Sequence, residues 1–113
     1  MITIYHNTRC RKSREGLELL KNSGREFKVR EYLEDTLNEE EIILLLNKLN
    51  IAPIQLVRIN ESKWKDNYRD KDLSDQEIIN ILAQNPELIE RPIVENKHIA
   101  VIGRPPTQIE KIL

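Results

Sequence analysis

The chain has very few residues of the types that form disulfides, metal sites or membrane spans. It contains one cysteine and two histidines, so no intramolecular disulfide can form and a zinc site, which usually takes four ligands, is not expected. No apolar run approaches the roughly 20 residues that span a bilayer. The net charge is −1, which gives none of the overall basic field that nucleic-acid-binding domains carry. The sequence therefore predicts no metal, no membrane segment and no nucleic-acid partner.

The remaining composition is that of an ordinary soluble domain. Hydrophobic residues make up 39% and charged residues 33% of the 113 positions, which suits one domain with its own core. The first strand is expected to begin at residue 2, which leaves no room for a signal peptide. With one cysteine and no export signal, the expected protein is a single-domain cytoplasmic monomer over residues 1–113, without a bound cofactor.

Strand and helix signals alternate in the first part of the chain. A run rich in β-branched and aromatic residues predicts the first strand. The start of the second helix is indicated by a capping residue that has a Glu three positions later, and the end of the first helix by a glycine. The predicted elements are a strand at 1–5, a helix at 11–21 that ends near Gly24, a strand at 26–32 and a helix beginning at Thr36 or Asn38.

The second part predicts a helical insertion followed by a hairpin. The insertion is expected at about 53–86, and Ser74 with Glu77 forms a capping box that opens a helix within it. Strands at 93–94 and 99–102 surround a tight turn, and a final helix follows Pro105 or Pro106. This element order predicts an α/β, thioredoxin-like fold, in which helices flank a mixed four-stranded sheet and the insertion separates the βαβ half from the C-terminal hairpin.

Cys10 falls at the turn between the first strand and the first helix. Arg9, Arg11, Lys12 and Arg14 surround it in the sequence. Nearby cations and the positive end of a helix dipole both lower a thiol pKa, and the thiolate is the nucleophilic form. The alternative is a small buried hydrophobic residue, but the flanking charges argue against an apolar environment. The pattern favours a reactive cysteine.

Ser13 stands where a redox C-x-x-C motif would have its second cysteine. Without a resolving thiol, any disulfide on Cys10 has to be reduced by an external thiol. Ser13 either donates its hydroxyl to the Cys10 sulfur or is an exposed residue of the first helical turn. His6 is either a proton relay or charge partner of the thiolate, or a solvent-facing loop residue.

Three arginines further along the chain are candidate anion ligands. Arg58 follows an apolar segment, Arg91 precedes Pro92, and Arg104 precedes Pro105. The planar guanidinium suits a tetrahedral oxyanion, although the sequence around each arginine taken singly favours a solvated surface residue. Pro92 opens the strand predicted to lie opposite Cys10, where thioredoxin-like domains carry a cis peptide bond.

Three segments together give a family resemblance. Residues 5–14, 90–94 and 102–106 resemble the corresponding motifs of the glutaredoxin-linked arsenate reductase (ArsC-type) family, and the resemblance covers essentially the whole chain. It implies a thioredoxin-like fold with a helical insertion, and one residue departs from the usual motif because Thr8 stands where the family usually has proline. The implied site residues are the catalytic Cys10, the preceding His6, and the arginine trio Arg58, Arg91 and Arg104.

The resemblance implies reduction of arsenate to arsenite through a cysteine–arsenate intermediate. Glutathione is then the co-substrate and glutaredoxin the protein partner. Two alternatives remain at this stage. One is a glutathione-dependent thiol reductase that does not use arsenate, since an arginine-lined pocket also suits the carboxylates of glutathione. The other is an Spx-like regulator that binds RNA polymerase, although Ser13 removes the C-x-x-C switch that such regulators typically carry.

Overall fold

Four short strands form one mixed sheet in the computed structural model, which describes residues 1–113. The strand order is β2-β1-β3-β4; β1 is parallel to β2 and antiparallel to β3, and β3 is antiparallel to β4. The predicted mixed four-stranded sheet is therefore confirmed. The strands are β1 (Ile2–Tyr5), β2 (Phe27–Arg30), β3 (Ile93–Glu95) and β4 (Ala100–Ile102).

Two helices pack on this sheet and complete its core. Helix α1 (Arg11–Ser23) ends at Gly24, whose φ of 75° is the left-handed conformation that glycine adopts without a steric penalty. The predicted helix at Pro106–Ile112 has 3₁₀ geometry and contacts both α1 and β4. The buried apolar cluster of this part consists of Ile2, Ile4, Leu20, Val94, Ile109 and Ile112.

The segment from Thr36 to Glu90 is a second compact unit that is helical. Asn38 and Ser74 begin the first and last of its α-helices, each with the full capping box that the sequence predicts. The α-helices are α2 (Glu39–Leu49), α3 (Ser62–Asn67) and α4 (Asp75–Gln84), and single 3₁₀ turns lie at Pro53–Leu56 and Pro86–Leu88.

Most element ends differ from the sequence-based prediction by one or two residues, and two differences have a structural meaning. Strand β2 stops at Arg30 because the carbonyl of Glu31 accepts the N–H groups of Glu34 and Asp35, which makes a turn there. The helical unit starts at Thr36 and so includes α2, whereas the predicted insertion starts near residue 53. The description of residues 1–113 as one domain stays a prediction. None of the helices has the length and apolar composition needed to cross a membrane.

Candidate active site

The loop between β1 and α1 is a tight turn that presents Cys10. The Cys10 N–H donates to the Asn7 carbonyl at 3.0 Å, and the Arg9 N–H donates to Asn7 Oδ1 at 3.0 Å. Arg14 Nη1 donates to the Thr8 carbonyl at 3.0 Å and so ties the loop to the helix. Asn7 was missed by the sequence analysis, although an Asn whose side chain caps the backbone two residues later is a known turn signal.

Cys10 is the N-cap residue of α1 and has the extended backbone that this position requires, with a φ of −97°. Its carbonyl accepts the Arg14 N–H at 3.0 Å, which is the first hydrogen bond of the helix. The residue is only 8% exposed, and Arg104 Nη2 lies 3.8 Å from Sγ. The thiol is thus buried at a cationic helix start and not within an apolar core.

Burial and hydrogen bonding act in opposite directions on the Cys10 thiol. Burial has the largest single effect and raises its pKa, but a hydrogen bond from Arg91 and the backbone N–H groups of Ser13 and Lys12 lower it. The positive charge of Arg91 lowers it further, and the net result is a pKa below the ordinary value. The arrangement favours a thiolate and so a nucleophilic sulfur.

We expect alkylation of Cys10 to report this lowered pKa. The rate should rise with pH and reach half of its maximum below about pH 8.5, the value for a free thiol. Because the chain has no second cysteine, iodoacetamide labelling followed by mass spectrometry measures this one group. A midpoint at or above that of free glutathione in the same buffer would contradict the assignment of Cys10 as an activated nucleophile.

Arg104 links Cys10 to the segment that contains Pro92. Its Nε donates to the Arg91 carbonyl at 2.7 Å, while Nη2 approaches Cys10 Sγ. The Arg91–Pro92 peptide bond is cis at the position where the sequence suggests one, and the Arg104–Pro105 bond is also cis. Arg91 and Arg104 therefore lie beside the sulfur although they are distant from it in the sequence.

Two glycines make room for the Pro92 ring. A Cβ atom on Gly16, within α1, would lie 3.0 Å from Pro92 Cγ, and one on Gly103 would lie 2.9 Å from it. The Gly103 N–H also donates to the Pro92 carbonyl at 2.8 Å. The sequence analysis missed both residues; an isolated glycine within a helical pattern is the signal that marks such close approaches.

His6 and Ser13 form a buried pair beneath the loop. His6 Nδ1 and Ser13 Oγ are 2.5 Å apart, and Ser13 Oγ accepts the Asn7 N–H at 2.9 Å. His6 is 4% and Ser13 0% exposed, so the interpretations of His6 as solvent-facing and of Ser13 as exposed are wrong. The hydroxyl bonds to His6 and Asn7, and no hydrogen bond joins it to Cys10, because the first helical turn directs this side chain towards the end of β1.

The environment of His6 favours its neutral form. Burial lowers its pKa most, and the charges of Arg14 and Lys21 lower it further, whereas Glu31 and the contact with Ser13 raise it. The net pKa lies below the ordinary value of about 6.5, so the imidazole is uncharged at neutral pH. No group of three or more His, Cys, Asp or Glu side chains is arranged to hold a metal ion.

Arg58 lies in the helical unit and is held by two carboxylates. Its Nη1 donates to Glu61 Oε1, and its Nε is 3.7 Å from Glu90 Oε1. The Arg58 N–H donates to the Leu88 carbonyl at 2.7 Å, which fixes the backbone at this point. Arg58 as the third member of an anion-binding trio stays a prediction.

Comparisons with known proteins agree over nearly the full length of the chain. The sequence profile of the ArsC family matches residues 5–112. The chain is 42% identical to the uncharacterized protein YfgD of Escherichia coli K12, over 99% of this chain and 96% of that protein. It is 39% identical to the arsenate reductase of Haemophilus influenzae, over 99% and 98% of the two chains. The solved arsenate reductase of Vibrio cholerae has the same fold, with a TM-score of 0.94 and 41% identity over 99% of this chain and 97% of that one.

Proposed function

This chain belongs to the ArsC family, and from that premise we propose that it reduces arsenate to arsenite in the cytoplasm. Cys10 is the nucleophile in this proposal, and Arg91 and Arg104 bind the oxyanion. The observation that supports it best is that the Arg104 guanidinium lies 3.8 Å from the buried Cys10 Sγ. Burial has the largest single effect on the pKa of this thiol and raises it, but the hydrogen bond and the positive charge of Arg91 help to bring the pKa below its ordinary value. A thiolate beside two guanidinium groups suits attack on an anionic, electrophilic substrate.

Arg104 retains one free edge for an oxyanion. A guanidinium offers two bidentate edges, Nε with Nη2 and Nη1 with Nη2. Arg104 uses the first edge on the Arg91 carbonyl and on Sγ. The second edge, Nη1 with Nη2, remains for two oxygens of arsenate beside the sulfur. Arg104 thereby both positions the Arg91 segment and binds substrate, while Arg91 supplies further charge.

The first chemical step joins sulfur to arsenic. The Cys10 thiolate attacks the arsenic of H₂AsO₄⁻, an As–O bond breaks, and the departing hydroxide takes up one proton and leaves as water. The product is Cys10–S–AsO₃H⁻, in which arsenic is still pentavalent. Arginines that hold the equatorial oxygens stabilise the negative charge that accumulates as the sulfur approaches.

The second step transfers two electrons to arsenic and requires an external thiol. Glutathione attacks Cys10 Sγ, the S–As bond breaks with its electron pair on arsenic, and arsenite leaves with the thiol proton. The product is a Cys10–glutathione mixed disulfide. Since the chain has no second cysteine to resolve it, glutaredoxin takes over the glutathione and regenerates the thiol.

His6 and Ser13 support the nucleophile in this proposal. Ser13 joins His6 Nδ1 to the Asn7 N–H, and Asn7 in turn holds the Cys10 N–H through its carbonyl. The pair thereby fixes the turn on which the thiolate is presented. A neutral imidazole also adds no positive charge that would bind the oxyanion away from Cys10, so the substrate is directed to the arginines.

Arsenite formation tests the proposed function directly. With arsenate, glutathione and glutaredoxin present, we expect arsenite in catalytic amounts, measured by chromatography coupled to mass spectrometry. Without glutaredoxin, turnover should stop at about one equivalent of product per chain because the mixed disulfide accumulates. A protein that reduces glutathionylated thiols under these conditions but forms no arsenite would be a thiol reductase, and the arsenate proposal would be rejected.

A further inference from the structure

A cavity of about 290 Å³ lies at the carboxyl ends of the two parallel strands, within the unit that contains the thiol. The last residues of β1 and β2 pair in register, and the His6 N–H donates to the Arg30 carbonyl at 2.9 Å. The cavity is lined by the segments that follow these strands, which are residues 6–9 and a turn that contributes Glu31, Leu33 and Glu34. The carboxyl ends of parallel strands are a common place for a ligand in α/β folds.

His6 supplies a buried hydrogen-bond donor to this cavity. It is 4% exposed, and its Nδ1 lies 2.5 Å from Ser13 Oγ. Ser13 Oγ accepts the Asn7 N–H, so its own hydrogen goes to Nδ1, the one acceptor that it contacts. A neutral imidazole that accepts at Nδ1 carries its proton on Nε2. Nε2 has no hydrogen-bond partner within the protein, and because His6 lines the cavity, this N–H is available to an acceptor there.

The other charged groups of the cavity have both signs. Arg9, Glu31 and Glu34 line it, all three are exposed, and none of them forms an ion pair within the protein. An anion alone would meet the two carboxylates, and a cation alone would meet Arg9 and the His6 N–H. A ligand that carries a carboxylate and an ammonium close together matches the whole set.

We propose that this cavity binds the γ-glutamyl end of glutathione, whose ammonium and carboxylate groups share one carbon atom. Arg9 and His6 Nε2 hold the carboxylate, and Glu31 and Glu34 hold the ammonium. This inference rests on the proposed function, in which glutathione attacks Cys10. Consecutive Cα atoms are about 3.8 Å apart and an extended tripeptide spans about 10 Å. Because Cys10 directly follows Arg9, a tripeptide held in the cavity is long enough to bring its thiol to the sulfur.

Glu34→Gln tests the cavity, with the reaction of Cys10 with two disulfides as the measurement. The thiolate attacks one sulfur of oxidised glutathione, which forms a Cys10–glutathione disulfide and releases one glutathione thiolate. The same reaction with hydroxyethyl disulfide, which has no charged group, measures the reactivity of the thiolate alone. The ratio of the two rate constants therefore reports recognition of glutathione. It should fall about two- to fivefold in Glu34→Gln, as expected for the loss of one exposed charge interaction.

The direction of this change separates a specific site from general electrostatics. Oxidised glutathione has a net negative charge, so removal of a carboxylate near Cys10 would speed the reaction if only overall charge mattered. Glu26→Gln is the matched control and should leave the ratio unchanged, because Glu26 is exposed and precedes β2, at the end of the strand opposite to the cavity. With a glutathione disulfide that lacks the amino groups, Glu34→Gln should have no effect, since there is no ammonium to hold.

S-Methylglutathione, which cannot exchange its sulfur, tests binding without a reaction at Cys10. It should shift the nitrogen resonance of His6 Nε2 in native protein, and Glu34→Gln should require an about two- to fivefold higher concentration for the same shift. Free glutamate carries the same ammonium and carboxylate but lacks the rest of the tripeptide, so it should bind more weakly. Equal affinity for free glutamate would mean an amino-acid site and would overturn the assignment to glutathione.

The outcomes distinguish this site from the proposed function. A ratio that is unchanged or raised in Glu34→Gln, or an equal fall in Glu26→Gln, would overturn the glutathione site even if native protein reduces arsenate. A fall confined to Glu34→Gln, in a protein that forms no arsenite, would support the glutathione site and reject the proposed function.

Discussion

Replacing Cys10 with serine is expected to reduce arsenite formation to the rate measured without protein. A serine hydroxyl remains protonated at neutral pH, so the attack on arsenic loses its nucleophile. The oxygen also cannot form the mixed disulfide that supplies two electrons to arsenic. We therefore expect a loss of more than about 10³-fold, measured as arsenite produced with glutathione and glutaredoxin in excess.

The glutathione adduct provides the control for this variant. Native protein treated with oxidised glutathione should gain one adduct at Cys10, which is the only thiol, and Cys10→Ser should gain none. The far-ultraviolet circular dichroism of the variant should match that of native protein, because serine is itself a favoured N-cap residue at the start of α1. Arsenite formation by folded Cys10→Ser at more than a few per cent of the native rate would exclude Cys10 as the nucleophile.

The element order of the fold could be predicted because local sequence patterns mark the strands and the helix ends. The capping boxes at Asn38 and Ser74 and the left-handed Gly24 fix helix ends through contacts between near neighbours, and such contacts can be read from spacing alone. Together with the strand patterns they gave the correct α/β element order, and the mixed sheet and the thioredoxin-like ArsC fold are confirmed. The 3₁₀ geometry at Pro106–Ile112 was not predictable, because the three-residue spacing of its buried Ile109 and Ile112 fits either helix type.

The site was predicted less completely because it depends on contacts between distant parts of the chain. That Arg91 and Arg104 lie beside Cys10 follows from the pairing of β1 with β3 and of β3 with β4, which no local signal specifies. The burial of His6 and Ser13 depends on the way α1 covers the end of β1. The approach of Glu90 to Arg58 was likewise not predictable, since the two residues are far apart in the sequence.

Replacing Arg91 or Arg104 with lysine should lower the rate of arsenate reduction about ten- to hundredfold. Lysine keeps the positive charge but loses the planar pair of donors that matches two oxygens of a tetrahedral oxyanion. Loss of one charge-assisted hydrogen bond costs roughly 1.5–3 kcal/mol, which corresponds to this range of rates. The measurement is kcat/KM for arsenate under saturating glutathione and glutaredoxin.

Arg25→Lys is the matched control, because Arg25 is exposed and its Nη2 donates only to the Leu113 carbonyl, at 3.1 Å. It should keep the native rate.

In Arg91→Lys the pH midpoint for alkylation of Cys10 should also shift upwards. Burial raises the pKa of Cys10 most, and the variant loses the Arg91 hydrogen bond that opposes this effect. Sulfate and phosphate should protect Cys10 from alkylation in native protein and do so less in both site variants. If Arg91→Lys and Arg104→Lys both reduce arsenate at the native rate, neither arginine holds the substrate, and the proposal of an oxyanion site at Cys10 has to be abandoned.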